Sequence, residues 1–199
     1  MQNPEQNKST LRRQLKTCRS AIKPDARCIA AQHALRLALR HGLLLRARRI
    51  GFYLPHGAEF DLRPLLNQAL WMQRVCYLPV IPSGRGRVLR FARLTGHNVM
   101  TANRYGIPEP SDLNPLRARQ LDVLFMPLVG FDHQGHRLGM GGGYYDATLA
   151  YLTRRRVWKK PLLIGVGFEC QRVERLPHDP WDAPLDAALT EHNLYVFKR

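Results

Sequence analysis

The stretch from Asp122 to Asp146 constrains this chain more than any other. It opens with a run of apolar β-formers, Val123 to Val129, the pattern of a strand buried on both faces of a sheet. A polar turn follows at Asp132-His133-Gln134-Gly135-His136, and Arg137 and Leu138 then lead into Gly139-Met140-Gly141-Gly142-Gly143. Tyr144, Tyr145 and Asp146 begin a helix predicted to continue through Leu152. Strand, glycine loop and helix start, in that order, make an anion site. Without Cβ atoms the backbone N–H groups can close on an oxyanion, and the first helical turn adds unpaired donors and a positive dipole end. Arg137 before the loop and Asp146 after it are what a nucleotide phosphate and its Mg²⁺ require. Most glycine clusters between strands and helices are plain turns. The loop matches neither the Walker A spacing, since no Gly-Lys-Ser/Thr follows, nor the dinucleotide fingerprint in its usual early position. The combination of arginine, glycines, tyrosines and aspartate at one junction favours phosphate.

Around this unit the chain alternates helical and extended patterns. Leu11, Leu15, Cys18 and Ile22 predict an amphipathic helix over about Ser9 to Ile22, ended by Pro24. Asp25 is placed to cap a second helix running to Gly42. Strands are predicted at Arg49–Pro55, Val75–Ile81, Val88–Leu94, Pro161–Phe168 and Asn193–Phe197. Pro79 marks an irregular or edge position, Asp61 caps a helix through Leu70, and 103–110 is a long loop. The reading is one α/β domain over 1–199, a three-layer α/β/α sandwich with a mostly parallel or mixed central sheet. In such sheets ligands bind at the carboxyl ends of strands, where the glycine loop falls.

Hydrophobic residues make up 45% of the 199 and charged residues 23%, which suits a folded domain with a full core. No apolar run approaches a membrane span and no apolar h-region stands near the start, so neither membrane nor secretion is expected. Cys18, Cys28, Cys76 and Cys170 form no C-x-x-C pair, which argues against zinc and for reduced thiols in a cytoplasmic protein. The net charge is +16, and residues 1–50 carry twelve Lys/Arg against two acids. Such a field suits anionic partners: a nucleotide, a polycarboxylate or nucleic acid. Helix-turn-helix, RRM and zinc-finger signals are missing, so nucleic acid is not expected.

Three further places could carry chemistry. Lys8 and Arg12 are spaced i, i+4 and point the same way from the first helix, either as a phosphate clamp or as surface charge. Asp182 and Asp186 lie in a proline-rich segment, as metal carboxylates or as turn formers. Glu59 follows the predicted strand ending Leu54-Pro55, facing a ligand pocket or standing as a loop acid near Arg63. His133 and His136 lack a third zinc ligand, no nucleophilic triad stands out, and Arg154-Arg155-Arg156 suits a helix C-terminus.

Phe131-Asp132-x-x-Gly135-x-Arg137-Leu138-Gly139-x-Gly141-x-Gly143-Tyr144-Tyr145-Asp146 resembles the signature of the 5-formyltetrahydrofolate cyclo-ligases, or 5,10-methenyltetrahydrofolate synthetases. Lys8-x-x-Leu11-Arg12, Tyr53-Leu54-Pro55…Glu59, Tyr105-Gly106-Ile107-Pro108-Glu109-Pro110 and His178-Asp179-Pro180-Trp181-Asp182 resemble the family's other motifs. Met140 and Gly142 resemble bacterial-type members; some relatives carry a basic residue in place of Gly142, and here backbone amides would have to serve.

The resemblance implies MgATP-dependent phosphorylation of the formyl oxygen of 5-formyltetrahydrofolate, then ring closure by N10 with loss of phosphate. It also implies roles. Lys8, Arg12, Arg137, Leu138, Gly139, Met140, Gly141, Gly142, Gly143, Tyr144 and Tyr145 would bind ATP. Leu54, Glu59, Tyr105, Glu109, Tyr144 and the loop from Met140 to Gly143 would meet the folate, with or without a polyglutamate tail. Arg137, Tyr144 and Asp146 would act in catalysis. Asp146 and Asp182 would hold Mg²⁺, with Asp186 the weaker candidate. A monomer is the expectation.

Overall fold

The computed structural model describes residues 4–45, 47–112, 114–154 and 161–197. Its centre is a seven-stranded sheet built from β1 (Arg49–Gly51), β2 (Val75–Val80), β3 (Arg90–Arg93), β6 (Val123–Pro127), β9 (Leu162–Val166), β10 (Ala187–Leu189) and β11 (Leu194–Val196). The strand order is β11-β10-β9-β6-β1-β2-β3. The inner five strands are parallel, and β3 and β11 close the edges antiparallel. The sheet is thus mixed, as expected. Strand order reverses between β1 and β6, which opens a crevice at their carboxyl ends.

The apolar run of β6 lies where a doubly covered strand must. Val123 and Phe125 face one core with Ile50, Ile164 and the helices α2 (Pro24–Arg40) and α3 (Arg63–Trp71). Leu124 and Met126 face the other, with Phe91, Leu163 and Leu149 of α4 (Tyr144–Arg154). Helices on both faces complete the three layers.

Helix α1 (Pro4–Ser20) packs differently, at the carboxyl end of the sheet, where Leu15 joins Val129, Leu138 and Leu176 in a small separate core. A Cβ on Gly130 would meet Leu15 Cδ1 at 2.6 Å, so any larger residue there would force the Leu15 side chain to move. The short hairpin of β7 (Gly130–Phe131) and β8 (Arg137–Leu138) lies under it.

Several boundaries differ from the sequence expectation, each for a local reason. Pro24 opens α2 at its first turn instead of merely ending α1, because a helix N-terminus needs no N–H from that residue. Asp25 consequently sits in the first turn, and Lys23 is the N-cap. Leu62 holds the N-cap position of α3, while the Asp61 carboxylate does the capping by accepting from Arg63 N–H at 2.9 Å and pairs with the Arg63 guanidinium at 2.7 Å. The first strand stops at Gly51, and β3 is shorter than the predicted Val88–Leu94. Pro79 lies in an inner strand, but beyond the last residue paired with β1, so its missing N–H costs no ladder bond there. The expected long loop holds a hairpin of β4 (Met100–Ala102) and β5 (Pro108–Pro110). Strand β10 was not expected at all: its Ala187-Ala188-Leu189 sequence has weak β-propensity and pairs through burial between β9 and β11. Arg155 and Arg156 lie outside the described residues. No described helix is long and apolar enough to cross a membrane.

A buried carboxylate, Asp132, organises the β7–β8 turn. Its Oδ1 accepts from the N–H groups of Gln134 and His136, both at 2.9 Å. Its Oδ2 accepts from Leu176 N–H at 3.0 Å and sits 2.9 Å from His136 Nδ1. Burial pushes its pKa up, but the His136 side chain and these N–H donors outweigh it and hold the carboxyl below its usual range. Its stabilising effect is therefore full above the ordinary carboxylate range and lost as pH falls through the lowered folded value. Asp132→Asn is expected to lose about 1–3 kcal/mol at pH 7 by leaving buried donors unmatched. Urea unfolding at pH 7 and pH 3 checks this: the gap between variant and native protein must narrow in acid.

Candidate functional site

A cleft of about 380 Å³ opens at the crevice between β1 and β6. Its floor comes from Tyr53, Leu78 and Pro127, at or just beyond the ends of β1, β2 and β6. The glycine loop forms one wall and the β4–β5 hairpin the other. The sheet places these groups together, because successive parallel strands all deliver their following loops to the same end.

The loop is built for donors. Gly141 has φ +100° and Gly143 φ +69°, a region L side chains rarely adopt. Ala147 is the first residue of the turn whose N–H reaches a backbone carbonyl, that of Gly143 at 3.0 Å. The N–H groups from Met140 to Asp146 find no protein acceptor among the described residues, so a row of unsatisfied donors borders the cleft at a helix start. Arg12 Nε donates to Gly139 O at 2.9 Å, which ties α1 to the loop. Arg137 donates to Asp146 Oδ1 at 2.6 Å, while its Nε is buried without a partner. Its guanidinium also lies 5.7 Å from the Tyr145 ring centre. Burial pushes the Tyr145 hydroxyl pKa up, with Glu59 adding to the effect. One turn earlier on α1, Lys8 bonds Asp179 and stands 3.7 Å from Asp182.

Leu54, Glu59, Tyr105, Glu109, Arg137, Gly139 to Gly143, Tyr144, Tyr145 and Asp146 all line the cleft. Lys8, Arg12 and Asp182 do not; Arg12 touches the loop from outside, and Lys8 groups with Asp182 beside it. Leu138 is buried in the small core under α1. Asp186 lies at the opposite end of the sheet, its Oδ2 accepting from Leu163 N–H near the start of β9 at 2.7 Å. Asp182 also does the work of a turn former, accepting from Asp179 N–H at 2.9 Å. Glu109 lines the cleft but has its carboxylate committed: Oε1 accepts from Ile81 N–H at 3.0 Å and Asn103 Nδ2 at 2.7 Å, fastening the hairpin to the end of β2. Arg63 is occupied by Asp61, so Glu59 is not its partner. No group of three or more His, Cys, Asp or Glu placed to hold a metal occurs among the described residues.

Sequence reasoning gave no role to Arg19, and it read Tyr53 only as part of a motif, although Tyr53 lines the cleft. Arg19 is a helix cation that proves buried, and only the docking of α1 reveals it. Burial pushes the Glu59 carboxyl up, opposed by His56 N–H and by the nearby Arg19 charge. Burial lowers the Arg19 pKa, and Glu59 works against that shift.

The fold and cleft define an α/β protein with a polar loop and an apolar pocket sharing one crevice. Residues 4–191 match the sequence model of the 5-formyltetrahydrofolate cyclo-ligase family. The 5-formyltetrahydrofolate cyclo-ligase of Haemophilus influenzae is 37% identical over 183 residues, covering 87% of this chain and 94% of that one. That of Escherichia coli K12 is 35% identical over 184 residues, covering 89% and 96%. The solved structure of Aquifex aeolicus 5,10-methenyltetrahydrofolate synthetase is similar with a TM-score of 0.82 at 28% identity, covering 96% of this chain and 93% of that one. This chain belongs to the 5-formyltetrahydrofolate cyclo-ligase family.

Because Arg19 opposes the burial of Glu59, Arg19→Met is expected to move the Glu59 titration to still higher pH. Carbon-detected NMR of the glutamate carboxyls would show it, and a downward or absent shift would contradict the pairing.

Proposed function

We propose that this protein closes 5-formyltetrahydrofolate to 5,10-methenyltetrahydrofolate at the expense of ATP, with Mg²⁺. The observation that carries the reading is the shared cleft: Glu59 and the tyrosines border the same space as the glycine loop and Arg137. A heterocycle and a phosphoryl donor can therefore meet in it.

The residues present fit both groups. The unsatisfied N–H row of the loop suits phosphate oxygens, with Arg12, Arg137 and Lys8 supplying charge. Asp146 is part-exposed and gives one oxygen to Arg137. Mg²⁺ keeps most of its waters and takes only one or two carboxylates beside substrate phosphates, so Asp146 in the cleft would suffice as protein ligand, with Asp182, held outside the cleft beside Lys8, as the proposed second carboxylate. When bound, the metal would neutralise charge on the β- and γ-phosphates. On binding, Arg137 would exchange the Asp146 carboxylate for phosphate and leave that carboxylate to the metal.

The chemistry needs positioning more than a nucleophile. A formamide oxygen is a poor leaving group, and transfer of the γ-phosphoryl group to it makes it a good one. N10 then attacks the formyl carbon, the bond from that carbon to the phosphate oxygen breaks, and the N10 proton leaves with the departing phosphate, giving ADP, inorganic phosphate and the methenyl ring. Arg137 and the loop amides stabilise charge on the moving phosphoryl group. Leu54, Glu59, Tyr105 and Tyr144 hold the folate so that N10 faces the carbon, while Glu109 keeps the hairpin wall in place. Glu59 suits a pterin amino group as a hydrogen-bond acceptor. Leu138 contributes through core packing and its backbone. A cytoplasmic monomer fits this activity.

Product formation is followed by the near-ultraviolet band of methenyltetrahydrofolate. Turnover is expected only with both Mg²⁺ and ATP present. Asp146→Asn should lower kcat/KM by at least about 100-fold, roughly 2.7 kcal/mol of barrier, with its unfolding curve unchanged. Normal closure by that variant would sink the metal assignment.

A further inference from the structure

Two of the four cysteines meet where α1 docks. Cys18 stands in the last turn of α1, and Cys170 in the short 3₁₀ turn Glu169–Gln171 that follows β9. The Cys18 thiol donates to the Cys170 carbonyl oxygen at 3.8 Å and lies within hydrogen-bonding reach of the Cys170 thiol as well. Both residues are exposed, so a small oxidant can reach them. The other two cysteines are placed differently. Cys76 is buried in β2, and Cys28 lies on α2 within reach of the Arg63 charge.

The two sides of this contact are held with unequal strength. Gln171 is buried, and its side chain donates to Leu128 O and Val129 O, both at 2.9 Å, and accepts from Phe168 N–H at 2.9 Å. The turn bearing Cys170 is thereby fixed to the chain that follows β6. Helix α1 has less to hold it. Among its described residues only Leu15 and Arg19 are buried, and the polar contacts of Lys8 and Arg12 lie toward its other end. A covalent link at Cys18 would join the lightly packed element to the fixed one across 152 residues of chain. Cross-links that close long loops remove the most freedom from the unfolded chain.

We propose that Cys18 and Cys170 are an oxidation site, forming a disulfide that fastens α1, and with it Lys8 and Arg12, to the body of the domain. The co-reactant is a low-molecular-weight disulfide such as oxidised glutathione. The Cys18 thiolate attacks one sulfur of the reagent, the reagent's S–S bond breaks, and one glutathione thiolate leaves. Cys170 then gives up its proton and attacks the Cys18 sulfur, releasing the second glutathione thiolate. Two protein thiols lose two protons and two electrons, and one reagent disulfide becomes two thiols. The order follows from the surroundings. Burial pushes the Cys170 thiol up to about 12, and the hydrogen bond and charge of Cys18 add to the shift. Those two contributions end once Cys18 is held in the mixed disulfide, which frees Cys170 for the second step. The site stands whatever ligand the cleft takes.

Equilibrating the full chain in glutathione buffers from reducing to oxidising, then blocking free thiols in acid and mapping peptides by mass spectrometry, tests this. A Cys18–Cys170 linked peptide is expected, lost in Cys18→Ser and in Cys170→Ser, with Cys76 open to alkylation only after unfolding. Both variants exchange an exposed thiol for a hydroxyl, so when reduced they should melt within about 2 °C of the native protein. On oxidation the native protein should melt at least about 5 °C higher, a rise absent from Cys170→Ser. Hydrogen exchange at the amides of residues 11–20 should slow at least about tenfold in the linked form. Glutathione adducts without the internal link at every ratio, or a link between two chains, overturn the site. A linked protein that melts and exchanges like the reduced one overturns the fastening of α1.

Discussion

The buried carboxylate of Asp132 ties together the parts on which the cleft depends. Its four hydrogen-bond contacts reach the turn before Arg137 and the chain at Leu176, the start of the segment that brings Asp179 and Asp182 beside α1. A charge with no exposure survives only when its lone pairs are filled, and filling them forces these two distant stretches into one arrangement. The glycine loop begins one residue beyond β8, so its position follows from that turn. Helix α1 then seats on the same hairpin through Leu15 and Gly130.

Much of this was legible in the sequence where local rules govern. The continuous apolar pattern of β6 announced a doubly covered strand, and the strand–glycine–helix order announced the loop. Arg137, Asp146 and the tyrosines could be read because they are neighbours in sequence. Less could be read where contacts between distant residues decide. Ala187-Ala188-Leu189 looks like nothing in particular until β9 and β11 flank it. Arg19 looks like one more cation on a basic helix, and only docking buries it near Glu59. Glu109 belongs to a recognisable motif, yet its fastening of the hairpin to Ile81 depends on a fold the motif does not describe.

The net charge of +16 reads differently once the cations are placed. Some of the 31 cations are balanced locally, Arg137 by Asp146, Lys8 by Asp179 and Arg63 by Asp61, and these pairs leave the excess itself unchanged. The Arg137–Asp146 pair spares the cleft the cost of a bare buried guanidinium. The positive field outside these pairs adds a long-range attraction for anions.

The docking of α1 has a consequence for the life of the chain as it is made. Lys8 meets Asp179 across 171 residues, and Arg12 meets Gly139 across 127. Synthesis runs from the amino end, so α1 leaves the ribosome long before the surface that receives it exists. Until then Lys8 has no Asp179 to face and Arg12 no Gly139 carbonyl, so the outer side of the glycine loop is completed only when the last quarter of the chain has been made.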